Sequence, residues 1–71
     1  MDSPKREATL ADLIAYAEAL RGQGYQGLYI WGDGPGVIRW SRREPKGVAR
    51  YCILGNKGRI WNVIAPDDTD G

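Results

Sequence analysis

The chain has no histidine and no phenylalanine, and its 71 residues include a single cysteine, Cys52. One cysteine cannot form an intrachain disulfide. With no histidine and no cysteine pair, the ligand set of a structural zinc site is missing. A Cys–His nucleophile is excluded for the same reason. No two carboxylates are spaced as an acid/base pair, so catalysis would rest on scattered Asp, Glu, Tyr or Lys side chains. The composition argues against an enzyme, and no cofactor or metal is expected.

Long apolar runs are also missing. None approaches the roughly 18–20 residues of a membrane span. The opening Met-Asp-Ser-Pro-Lys-Arg-Glu lacks the apolar segment of a signal peptide. A lone cysteine fits a reducing compartment. The expectation is a cytoplasmic protein with no membrane partner.

Acidic residues are scarce where basic ones crowd. Net charge is only +1, yet residues 39–59 hold Arg39, Arg42, Arg43, Lys46, Arg50, Lys57 and Arg59 against Glu44 alone. Asp67, Asp68 and Asp70 make the end of the chain acidic. These three read as a solvated tail, since a tail cannot hold metal ligands in fixed geometry.

A chain this short makes one small domain and buries only about 60% of its unfolded surface. Its stability is expected to be marginal without a supplement such as self-association or partner binding. Residues 1–8 and 66–71 read as flexible ends of this domain, residues 1–71. A helix follows, with Thr9 as N-cap and Asp12 completing a capping box. Leu10, Leu13, Ile14, Ala17 and Leu20 form its apolar stripe, and Gly22 stands where a C′ glycine belongs.

Tyr25 to Ala65 then reads as four short strands: Tyr25–Trp31, Val37–Arg42, Val48–Leu54 and Arg59–Ala65. Gly32-Asp33-Gly34-Pro35-Gly36 is a hairpin loop. It is not a phosphate loop, because no helix and no Gly-Lys-Ser/Thr follow. Arg43-Glu44-Pro45-Lys46-Gly47 and Gly55-Asn56-Lys57-Gly58 are the other turns. Short links between successive strands predict an α+β fold: one N-terminal helix packed on a four-stranded antiparallel β-meander, in two layers.

One helix covers one face of such a sheet. Alternation groups Leu28 with Ile30, Tyr29 with Trp31, and Ile38 with Trp40. A three-residue loop at Asn56-Lys57-Gly58 would set Tyr51, Ile53, Trp61 and Val63 on one face. Val48, Cys52, Leu54, Ile60 and Ile64 would share the other with Arg50 and Asn62. Both sets are apolar, so one large apolar face is left exposed and marks an interface. Sequence alone does not say which, because a one-residue shift of register exchanges them.

Candidate binding residues are Tyr29, Trp31, Arg39, Trp40, Arg42, Arg43, Lys46, Arg50, Lys57, Arg59 and Trp61. Cations beside aromatic rings suit single-stranded nucleic acid, where phosphates are neutralised and bases stacked. Trp, Tyr and Arg equally anchor protein interfaces. A third reading keeps the rings in the core and the arginines at solvated strand edges.

Gly27-Leu28-Tyr29-Ile30, Gly36, Trp40, Arg42 and Arg50-Tyr51-Cys52-Ile53-Leu54-Gly55 together resemble the arm-type DNA-binding sheet at the N-terminus of tyrosine integrases. There a Gly-Leu-Tyr-Leu strand, a Gly before a Trp-containing strand and a Leu-Gly ending recur. The resemblance covers residues 27–55 and implies nucleic acid as partner. In that family the helix follows the sheet, whereas here it precedes it. By size and type the chain is also similar to phage- and plasmid-encoded inhibitors of host defence, anti-CRISPRs among them. The leading expectation is a non-enzymatic protein that occupies a surface of a protein partner, one with an acidic or nucleic-acid-binding surface. Nucleic acid itself is the alternative target, and a homodimer through the open sheet face is the third arrangement.

Overall fold

The structure, a computed structural model, describes residues 6–64. One helix, α1 (Leu10–Gly22), precedes four strands: β1 (Leu28–Gly32), β2 (Ile38–Ser41), β3 (Arg50–Leu54) and β4 (Ile60–Ile64). The α+β class, the single helix and the four-stranded antiparallel sheet are as expected.

The capping box starts α1. Asp12 N–H donates to Thr9 Oγ1 at 3.2 Å, and Thr9 N–H donates to Asp12 Oδ2 at 2.8 Å. Leu13, Ala17 and Leu20 bury one stripe, with Leu10 and Ile14 partly buried beside them. The expected end at Gly22 shifts. Gly22 is still helical, Gln23 caps the helix, and Gly24 takes the left-handed turn at φ 96°. Arg6 and Ala8 fall in the expected N-terminal tail, yet both make contacts. Gly36 N–H donates to the Arg6 carbonyl at 3.1 Å, and Ala8 packs against the core. The remaining tail residues, 1–5 and 66–71, lie outside the described residues.

The order of strands corrects the meander. It is β2-β1-β3-β4, so β3 pairs with β1 rather than with β2. Burial explains the choice. Leu28 and Ile30 of β1 and Cys52 and Leu54 of β3 are all fully buried, whereas Arg39 and Trp40 of β2 are exposed. The two most apolar strands take the centre, and β2 is left at an edge. Since β2 and β3 both run antiparallel to β1, residues 42–49 must return along the sheet. The expected tight turn at Arg43–Gly47 is therefore a crossover, and Gly47 bends within it at φ 73°.

Strand starts also move. β1 begins at Leu28 rather than Tyr25 because Gly27 sits at φ 70°, outside strand geometry. A Cβ there would stand 2.8 Å from Asn56 Oδ1. β3 begins at Arg50 rather than Val48, after the crossover. The β3–β4 turn is the three-residue loop anticipated. Gly55 N–H donates to the Arg59 carbonyl at 2.7 Å, and Gly58 supplies the positive φ of 82°.

Register now assigns the faces. α1 covers Leu28, Ile30, Cys52 and Leu54, with Ile38 and Ile60 packed at the margins. Burial pushes the Cys52 thiol above its ordinary pKa, as suits a small apolar filler. Among the described residues no helix is long and apolar enough to cross a membrane.

Candidate interaction face

The sheet face away from α1 carries Tyr29 and Trp31 from β1, Arg39 and Ser41 from β2, Tyr51 and Ile53 from β3, and Trp61 and Val63 from β4. It divides into two parts. At the Trp31 end, the crossover lies on it. Tyr51 Oη donates to Glu44 Oε2 at 2.9 Å, and the Tyr51 ring is buried. The hydrogen bond to the Glu44 carboxylate, with burial added, holds the Tyr51 hydroxyl above its ordinary pKa. Tyr29 meets Tyr51 edge-on, centroids 5.8 Å apart and planes at 64°.

The second part, around Ile53, Trp61 and Val63, is uncovered among the described residues. Trp61 is 51% exposed, a large apolar group on an edge strand. The Arg59 guanidinium lies 5.9 Å from its ring centroid, a cation–π contact that holds the cation beside the indole. Lys57 stands exposed in the adjoining turn. Arg42 is exposed at the near end, donating to the Gln26 carbonyl at 3.4 Å. It borders a shallow depression of about 310 Å³ with Tyr29, Ile53 and Asn56.

The electrostatic balance here is positive. Arg43 and Lys46 sit exposed on the crossover. The two acids closest to this side are engaged: Glu44 accepts from Tyr51, and Asp33 pairs with Arg39. Arg39 therefore contributes less net charge than its neighbours. Among the described residues, no three His, Cys, Asp or Glu side chains come close enough together to hold a metal ion.

The sequence-predicted residues thus divide. Tyr29, Trp31, Arg39 and Trp61 lie on the open face, with Arg59 stacked on Trp61; Arg42, Arg43, Lys46 and Lys57 occupy its surrounding loops. Trp40 and Arg50 lie elsewhere. Both point to the helix side of the sheet, and Trp40, still exposed, meets Tyr25 at 5.5 Å beside the core. Ile53 and Val63 belong to the open face but were not counted as binding residues. Their signal was the three-residue turn, which sets them beside Trp61.

Comparison with protein-family models, with curated proteins and with solved structures returned no match. The similarity to integrase arm-binding sheets therefore rests on residues 27–55 alone, with α1 before the sheet rather than after it.

Proposed function

We propose that this chain is a binding protein that docks its open sheet face on an acidic surface of another protein and acts by occupying it. The observation that carries this is the pairing of an apolar centre, exposed Trp61 between half-buried Ile53 and Val63, with a cationic rim, Arg42, Lys57 and Arg59. Apolar centre and charged rim is the anatomy of protein interfaces. The rim's charge selects a partner rich in Asp and Glu. With no chemistry of its own, such a module inhibits whatever its partner's covered surface would otherwise engage.

Nucleic acid is the second reading, favoured by Trp61 beside Lys57 and Arg59. The central-strand rings weigh against it. Tyr29 and Tyr51 pack on each other, and Tyr51 lies buried under the crossover. A stacking platform needs those rings open to bases.

Two arms test the proposal. In the first, tryptophan fluorescence is followed during titration with a short single-stranded oligonucleotide at low and moderate salt. Little response at low salt is expected; quenching that weakens steeply as salt rises would establish the nucleic-acid reading instead. In the second, protein captured from lysate by the immobilised chain is purified and the complex rebuilt from two components. Fixed stoichiometry, resistance to nuclease, and weakening by Arg42→Glu and Arg59→Glu support an acidic protein partner. A complex indifferent to both charge reversals overturns it.

A further inference from the structure

The outer edge of β4 carries a second inference. Among the described residues, β4 pairs with β3 alone and ends the strand order. Its sequence is Ile60-Trp61-Asn62-Val63-Ile64, with no charge and no proline. Edge strands usually carry such residues to prevent pairing with other chains. The opposite edge, β2, is shorter and does carry one, Arg39.

The backbone orientation of β4 follows from its turn. Gly55 N–H donates to the Arg59 carbonyl, so Arg59 directs its peptide groups toward β3. Alternation along an antiparallel ladder then turns Trp61 and Val63 the same way. Ile60, Asn62 and Ile64 direct their N–H and C=O groups outward. Three outward residues make a ladder ready to receive another strand.

We propose that β4 pairs with β4 of a second copy, antiparallel about a two-fold axis at Asn62. The strand is self-complementary in that register. Asn62 lies opposite Asn62, Ile60 opposite Ile64, and Trp61 opposite Val63. Every outward N–H and C=O group exchanges a bond with the second copy. Ile64, 65% exposed in one copy, packs beside Ile60 of the other. No like charges meet between Ile60 and Ile64. A domain this small gains most from such a supplement to its core.

The pairing also extends the candidate site. It sets Trp61 of each copy beside Val63 of the other, joining the two open faces into one surface across the axis. The dimer rests on the β4 edge alone and stands whether the open face meets protein or nucleic acid.

Sedimentation velocity from micromolar to millimolar concentration, with residue-resolved amide exchange, tests it. The apparent mass is expected to rise from 7.9 kDa toward twice that value. In the dimer the amides of Ile60, Asn62 and Ile64 exchange as slowly as those of Trp61 and Val63. Asn62→Lys, which sets two cations opposite each other, and Ile64→Lys should each raise the dimer Kd by about tenfold or more while circular dichroism stays unchanged. A mass fixed at 7.9 kDa across the range overturns the proposal. So does a dimer whose Ile60, Asn62 and Ile64 amides exchange fast, because that dimer uses another surface. The exchange measurement needs no variant and decides the matter even if a substitution unfolds the chain.

Discussion

On the helix side of the sheet, Leu28, Ile30, Cys52 and Leu54 are wholly buried, and Leu13, Ala17 and Leu20 close over them. On the other side, Ile53 and Val63 are half-buried and Trp61 is half-exposed, although these side chains are as apolar as those in the core. The difference lies in the cover, not in the residues. One 13-residue helix and one crossover cannot span both faces of four strands. The helix side holds the fold, and the uncovered side retains apolar surface that a partner can bury.

The largest test of this contrast is Ile30→Ala, expected to cost about 2–5 kcal/mol in urea unfolding. A loss well below that range would mean that the helix side is loosely packed and the contrast is weak. Gly27→Ala comes next. It places an alanine at φ 70° with its Cβ 2.8 Å from Asn56 Oδ1, for a loss of about 1–2 kcal/mol. Thermal unfolding that matches wild type would show that the entry to β1 is more pliable than its geometry indicates.

Smaller effects follow from titration. The Arg6 guanidinium, together with the Thr9 amide, lowers the Asp12 pKa to about 2. A depressed carboxylate stabilises the fold above the ordinary Asp range, and that contribution is lost as pH falls through about 2. Helix dichroism across an acid titration should show this loss in wild type, and Asp12→Asn should flatten it. An acid response identical in the variant would remove the capping box from the account. Tyr51 has the opposite sign. Its raised pKa favours the protonated fold below the ordinary tyrosine value, and the contribution is lost as pH rises through the folded pKa. Tyrosinate absorbance should show one late-titrating tyrosine, advanced by Glu44→Gln. If that variant leaves the titration unchanged, Glu44 does not fasten the crossover.

Much of this was legible in the sequence because the signals were local. Thr9 and Asp12 set the helix start, the apolar period set its stripe, and the Asn56-Lys57-Gly58 turn set the register of β3 on β4. What could not be read was non-local. Nothing in residues 42–49 says that they cross the sheet rather than turn back, and the pairing of β3 with β1 depends on matching buried surfaces far apart in sequence. The choice of face by α1 depends on the same packing. The split of the tryptophans followed from it: Trp40 went to the helix side against Tyr25, still 38% exposed, and Trp61 to the open face. Arg42, Arg43, Lys46 and Lys57 were easier to place because loops keep them exposed whatever the strand order, whereas Arg50, inside β3, went to the helix side with its register.

Trp40 and Trp61 provide the most direct test, since they are the same residue on opposite faces. The measurement is the affinity of the purified complex for Trp61→Ala and Trp40→Ala, each checked for folding by circular dichroism. Trp61→Ala is expected to weaken the complex by at least tenfold, about 1.4 kcal/mol, while Trp40→Ala lowers stability and leaves affinity near wild type. Undiminished affinity in folded Trp61→Ala, with loss in folded Trp40→Ala, would contradict the account and move the binding surface to the helix side.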